Sequence, residues 1–212
     1  MKFIHAVIVA GILFGATNAT ATIIGGSVTG GGAQTNGGTF VKLSDPIGNV
    51  GDNNHQSNNL FGFDEKQNVF LSSNLTVDIV AAGQNNPLSA GQEVASHYIF
   101  FDPAVNRTIT GTVEFDSDIV AIITSRDNLI ASDGLVNLSA NYLSPDLRGL
   151  EAGDGVTITG ARTISVDFFA NSPGDYIRVL TQFSPAAAPE PGTFAVLIFS
   201  LFTISLLRRR AI

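Results

Sequence analysis

The chain has 212 residues, with 11 Lys and Arg against 18 Asp and Glu, for a net charge of −7. That balance excludes a basic nucleic-acid footprint, so no nucleic-acid partner is expected. There is no cysteine, which excludes disulfides, zinc–thiolate sites and cysteine nucleophiles together.

In chain order, Lys2 supplies a positive n-region, and residues 3–16 are apolar apart from His5. Ala19-Thr20-Ala21 is a small-x-small cleavage site. This pattern predicts a secretory signal peptide over residues 1–21, with Thr22 as the mature N-terminus. Signal peptidase and the general secretion pathway are the partners it implies. No cysteine follows the site, so a lipoprotein anchor is not expected.

Residues 22–59 read as a Gly- and Asn-rich arm and loop. Seven glycines fall between Gly25 and Gly38, but neither GxxxxGK[ST] nor GxGxxG opening a helix is present, so a phosphate cradle is not indicated. An extended arm with short edge strands near 23–24 and 40–43 is expected. The polar run 48–59 favours turns. His55 within it reads as a solvated loop histidine.

From residue 60 to 183, short apolar runs alternate with turn signals. Strands are expected at 60–63, 69–71, 75–80, 97–102 and 107–115. In the last of these Ile109, Gly111, Val113 and Phe115 face one way and Thr108, Thr110, Thr112 and Glu114 the other, the period of two of a half-buried strand. Residues 119–124 form a continuous apolar run of buried-strand type. Residues 126–132 suggest one helical turn, and 135–141 a further strand. A hairpin joins 155–160 to 162–170, and 176–183 is the last strand. Nine or ten short strands with turn signals every 8–12 residues predict an all-β fold, an antiparallel, jelly-roll-like β-sandwich. The frequent Phe residues are expected in the core between its sheets.

Residues 184–192 are a linker ending in Pro189-Glu190-Pro191-Gly192. Residues 193–207 carry no charge; as a helix they span about 22 Å at roughly 1.5 Å per residue. That is short for a bilayer core, but snorkelling arginine stems and local thinning extend its reach. Proline prevents the helix from growing backwards. Arg208, Arg209 and Arg210 should stay on the cytoplasmic side, making 208–212 a basic tail and 193–207 a transmembrane helix. The alternative of a buried soluble helix would call for a polar stripe, and none is visible. Without these targeting segments the charge is 7 − 17 = −10, after removing Lys2, the three terminal arginines and Glu190. Such a surface favours solubility.

The ordered triplet of Pro189-Glu190-Pro191, apolar helix and arginine cluster resembles the PEP-CTERM sorting signal of Gram-negative bacteria. The resemblance covers residues 188–210. The helix is richer in Ile, Phe, Thr and Ser than in many members. It implies an exosortase, a membrane-embedded cysteine transpeptidase, as processing partner. The cargo would then pass from transient membrane anchorage to the cell surface or the exopolysaccharide matrix. The segment 97–180, with HYIFFDP, GTVEFDSDIVAII, GLEAGDGVTITG and PGDYIRVLT, also looks like cargo domains of such secreted proteins, which implies fold and location but no reaction.

Catalytic frames are weak. GxSxG and HExxH are absent, and the mature chain has only His55 and His97. Ser96 and His97 are neighbours on an expected strand and must face opposite ways. The acids Asp64 and Glu65, Asp116 and Asp118, and Glu151 and Asp154 could form glycosidase pairs only if the fold brings two across a groove. The absence of tryptophan weakens that reading. Glu114, Asp116 and Asp118 could direct oxygens to a calcium ion or form a solvated acidic turn. Asp102, before Pro103, reads as a turn starter. The expectation is a structural or adhesive exported protein, not an enzyme, with no cofactor. The alternative is a carbohydrate-binding module, with calcium as an optional aid and extracellular polysaccharide as the partner.

Overall fold

A computed structural model of the protein describes residues 21–44, 47–136, 140–171 and 173–183. Of the signal-cleavage residues, Ala21 and Thr22 fall inside this range and Ala19 outside. The sorting motif Pro189, Glu190, Pro191, the apolar run 193–207 and Arg208, Arg209 and Arg210 also lie outside the described residues. No helix of the described residues is long and apolar enough to cross a membrane.

The structure is mostly β, with two sheets packed against each other. The first sheet has the order β1 (Ile23–Gly30), β7 (Arg107–Phe115), β11 (Thr163–Ala170), β10 (Gly155–Gly160). All its pairings are antiparallel. The second has the order β2 (Phe40–Lys42), β4 (Leu60–Phe70), β6 (Glu93–Phe101), β12 (Asp175–Gln182), β8 (Ile119–Ile123), β5 (Ile79–Val80). Only its β2–β4 edge pair is parallel. A small parallel pair joins β3 (Asn49–Val50) to β9 (Asn141–Tyr142). Between strands lie a short helix α1 (Gly31–Thr35), the longer α2 (Arg126–Val136) and a 3₁₀ turn over Pro145–Leu147.

The alternation expected at 107–115 holds in β7, where Ile109, Val113 and Phe115 are fully buried. They meet Ile164, Val166 and Phe168 of β11, and Ile99, Phe101, Ile177 and Val179 from the second sheet. Fully burying each such side chain contributes about 1.5–3 kcal/mol. Gly111 interrupts this face because a Cβ there would lie 2.6 Å from the carbonyl oxygen of Ser27 on β1.

The second sheet departs from a half-exposed sandwich sheet because it is covered on both faces. In β6 every residue from Val94 to Phe101 is buried. One face meets the first sheet. The other carries Phe63, Tyr98, Phe100 and Tyr176, which pack with Leu129 and Val136 of α2 and with loop residues such as Leu75 and Leu88. A strand buried on both sides loses its polar alternation, and β8, Ile119–Ile123, is a continuous apolar run.

Several local expectations change, and the strands expected separately at 60–63 and 69–71 form the single strand β4 over Leu60–Phe70. Residues 23–30, expected as an arm with a short edge strand, form the eight-residue edge strand β1. Residues 126–132, expected as one turn, open the eleven-residue helix α2, and Leu135 and Val136 belong to that helix, not to a strand. Residues 75–80 pair as a strand only at Ile79–Val80, with a lone bridge between Leu75 and Leu88.

The start of α2 is capped from a distance. The Asp78 carboxylate accepts N–H bonds from Thr124 and Ser125 at 2.7 and 2.8 Å, and further bonds from the Ser125 hydroxyl and the Asn128 amide. It thereby satisfies the N–H of Ser125, the residue flanking the helix, which has no partner inside it, and that of Thr124 just before it. Burial pushes the Asp78 pKa up, but these donors outweigh it and hold the carboxyl below its ordinary value.

Candidate functional site

Three polar clusters and one surface recess are the places where chemistry could reside. The first cluster lies under α2. On the helix-facing side of the second sheet, Arg178 of β12 and Glu65 of β4 are both fully buried. Arg178 Nε lies 2.6 Å from Glu65 Oε2 and Nη2 lies 2.7 Å from Oε1, a bidentate arrangement that suits the planar guanidinium. Arg178 also donates to the Leu129 carbonyl at 3.0 Å, to Ser132 and to Asp133 at 2.9 Å, all on α2. Arg148 holds Asp133 from the other side at 2.6 Å, with its guanidinium 4.4 Å from the Tyr142 ring centroid. Ser96 and Tyr142 each donate a hydroxyl to Glu65.

Two cations and two anions balance here, and the acids are occupied by several donors each. Burial raises the pKa of Tyr98, an effect that Arg148 and Arg178 oppose without cancelling. Burial and the Glu65 charge also raise Tyr142. Both phenols therefore stay neutral near pH 7. The cluster works as a clamp that fixes α2 and the β3–β9 pair to the sheet, through Ser132, Asp133 and Tyr142.

The second cluster lies on the opposite face of the same strands. Asp64 Oδ1 is 2.7 Å from His97 Nδ1 and accepts the Ile23 N–H at 3.0 Å. Asp64 Oδ2 accepts the Thr22 hydroxyl at 2.6 Å and pairs with Lys42 Nζ at 2.7 Å. His97 Nε2 reaches the Thr181 hydroxyl at 3.0 Å. Burial pushes the Asp64 pKa up, but His97, Lys42 and Thr22 outweigh it and hold the carboxyl well below its usual range. Thr22 also places its N–H 2.8 Å from Asp116 Oδ1. This cluster therefore gathers the start of β1 onto β2, β4, β6 and the end of β7.

The third cluster is acidic. Asp154 accepts the N–H of Glu151 at 3.0 Å and of Phe169 at 2.7 Å. Asp175, at the start of β12, is only 3 % exposed, and its Oδ2 has no hydrogen-bond partner. Burial, with the charges of Asp154 and Glu151, pushes its carboxyl up to about 8.

The sequence candidates are thus dispersed. Asp64 and Glu65, adjacent in the chain, point to opposite faces of the second sheet and cannot act as an acid pair. Ser96 and His97 likewise face opposite ways, Ser96 to Glu65 and His97 to Asp64. Glu114 is exposed on β7, Asp116 is held by Thr22 and Ser117, and Asp118 pairs with Arg162 at 2.7 Å. Among the described residues no group of three or more His, Asp or Glu is placed to hold a metal ion. His55 is half-buried and not fully solvated, with its ring centroid 4.8 Å from that of Phe61 and 4.9 Å from that of Phe100. Its N–H donates to Asp102 at 2.9 Å, and burial lowers its pKa against the opposing pull of Asp102. Asp102 is fully buried, more than the turn starter expected.

A surface recess of about 360 Å³ opens at one end of the two sheets, lined by Gln84, Asp118, Thr159 and Gln182 among others. Asp118 is its one carboxylate among the described lining residues, and it is already paired with Arg162. Two-carboxylate glycoside chemistry therefore has no second acid there.

Arg178, Arg148, Asp133, Lys42 and Thr22 were not singled out for these roles from sequence, apart from Thr22 as a cleavage product. The available signal for Arg178 was a charge inside an apolar strand, between Ile177 and Val179. Comparisons with family models, with curated proteins and with solved structures return no match.

Proposed function

We propose that the chain is an exported, exosortase-processed surface or extracellular-matrix protein with a structural or adhesive role and no catalytic activity. One observation carries this reading: Lys2, an apolar stretch and the small-x-small Ala19-Thr20-Ala21 stand in order at one end, and Pro189-Glu190-Pro191, an apolar run and Arg208-Arg209-Arg210 stand in order at the other. Read as a signal peptide and a stop-transfer segment, they support an exported position for the Pro-Glu-Pro motif. A jelly-roll-like class for the sandwich belongs to the same proposal. It is supported by sheet neighbours far apart in the chain, such as β1 and β7. Replacing Pro189, Glu190 and Pro191 together by alanine should leave the protein in the inner-membrane fraction. Unchanged release to the surface would overturn the processing claim.

The second reading is a carbohydrate-binding module. The recess beside Gln84, Asp118, Thr159 and Gln182 favours it, since amide, carboxylate and hydroxyl groups suit sugar hydroxyls. A glycan array run with and without calcium tests it. Binding lost on Asp118→Ala would support it, and no binding in either condition would remove it.

A further inference from the structure

We propose that signal-peptide removal itself completes an ion pair in this fold: the new α-ammonium of Thr22 locks onto the Asp116 carboxylate and fastens β1 to β7. The inference rests on the export reading, because it needs the chain to be cut between Ala21 and Thr22.

The seat is already built. Thr22 N is 2.8 Å from Asp116 Oδ1, and the Asp116 N–H returns a bond to the Thr22 carbonyl at 3.0 Å. The Thr22 hydroxyl donates to Asp64 Oδ2 at 2.6 Å, so the residue is held by two carboxylates at once. Lys42 Nζ reaches Asp64, the Thr22 hydroxyl and the Ile23 carbonyl. His97 lies on the far side of Asp64, and Ser117 donates to Asp116 at 3.1 Å. Arg162, the other cation near this end of β7, is occupied by Asp118 at 2.7 Å.

Charge balance decides what cutting does. In the uncut chain the Thr22 nitrogen is an amide and brings no charge to Asp116, while Asp64 is already paired with Lys42 and His97. Hydrolysis breaks the Ala21–Thr22 C–N bond. The oxygen of water goes to Ala21, which leaves as a carboxylate, and the Thr22 nitrogen becomes an ammonium with three protons. Cutting therefore adds one positive charge within hydrogen-bond distance of Asp116. The bond to Asp116, already assisted by the charge of its acceptor, gains a charged donor and becomes an N⁺–H···O⁻ ion pair.

The order of events also follows. Ala21 is fully buried in the uncut chain, and the Thr22 N–H already points at Asp116, so the bond is closed to a protease once β1 has docked. Cutting precedes docking, and the finished strand is held by a group that only cutting can create.

The test begins with N-terminal sequencing of the protein isolated from the exported fraction. A start other than Thr22 overturns the export reading in its cleavage position and this inference with it. With Thr22 confirmed, the α-amine is titrated by NMR after reductive ¹³C-dimethylation, which keeps its charge. The expected pKa is at least one unit, or tenfold, above the ordinary range of about 7.7–8.0, falling back to that range in Asp116→Asn. Selective acetylation of the amine should lower Tm by several degrees, and Asp116→Asn should then add little. An unshifted amine in the natural protein overturns the lock while leaving the export reading intact. So does a Tm indifferent to acetylation.

Discussion

Arg178 Nε lies 2.6 Å from Glu65 Oε2 across 113 positions of sequence, with both side chains wholly removed from water. Removing one partner of such a pair leaves an uncompensated buried charge, which costs about 3–5 kcal/mol. Arg178→Met should destabilise the domain by that amount in urea denaturation. Replacing Arg178 by Met and Glu65 by Leu together should recover most of the loss. A single variant within about 0.5 kcal/mol of the natural protein, the range of ordinary surface changes, would show that the pair does not clamp α2 to the sheet.

Asp175 should be a liability above neutral pH. Its carboxyl titrates at about 8 in the fold against 3.8 unfolded, so the native state holds the extra proton between those values. Its contribution to stability is present below pH 3.8 and lost as pH rises through 8. Asp175→Asn should therefore raise Tm at pH 9 and change it little at pH 4. Thermal melts across this range check the slope, and a Tm gain at pH 4 as large as at pH 9 would reject the assignment.

Asp64 should act in the opposite sense. Its pKa is held below the unfolded value of 3.8, so its stabilisation is present above 3.8 and lost as pH falls through the depressed value. Asp64→Asn should destabilise at pH 7 and flatten the acid limb of the stability curve. Acid titration followed by circular dichroism would show it, and an unchanged acid limb would contradict it.

Asp78→Ala removes the carboxylate that caps α2 from outside the helix. The expected loss is about 1–2 kcal/mol, the upper range for a cap. Amide hydrogen exchange should quicken first in Thr124 and Ser125. Unaltered protection there would mean that water replaces the cap at no cost.

Gly111→Ala places a methyl group 2.6 Å from the Ser27 carbonyl oxygen, and a backbone atom cannot rotate away. Overpacking of this kind costs about 1–3 kcal/mol. The loss should appear as faster exchange along β1, and exchange confined to other strands would place the strain elsewhere.

Legibility in the sequence followed exposure. β7 and the β10–β11 hairpin could be read because each keeps one face towards solvent and so alternates. β6 and β12 could be recognised as strands, but their second buried face could not, because its polar members, Ser96 and Arg178 among them, look like solvent-facing residues until their buried partners are known. Helix α2 was mostly hidden: its buried positions are Leu129, Ser132 and Val136, too few and too mixed to show a helical stripe. β1 was obscured by glycines, which carry no side chain to mark a face. The polar clusters were illegible for another reason. Glu65 and Arg178, or Thr22 and Asp116, are brought together by strand order, and local pattern carries no information about which distant strands become neighbours.

The domain is proposed to be exported and trimmed at both ends. Intact-mass measurement on the extracellular protein tests it most directly. The mass should correspond to a chain that begins at Thr22 and lacks Arg208, Arg209 and Arg210. A mass that retains Met1, or the terminal Arg-Arg-Arg-Ala-Ile, would contradict it.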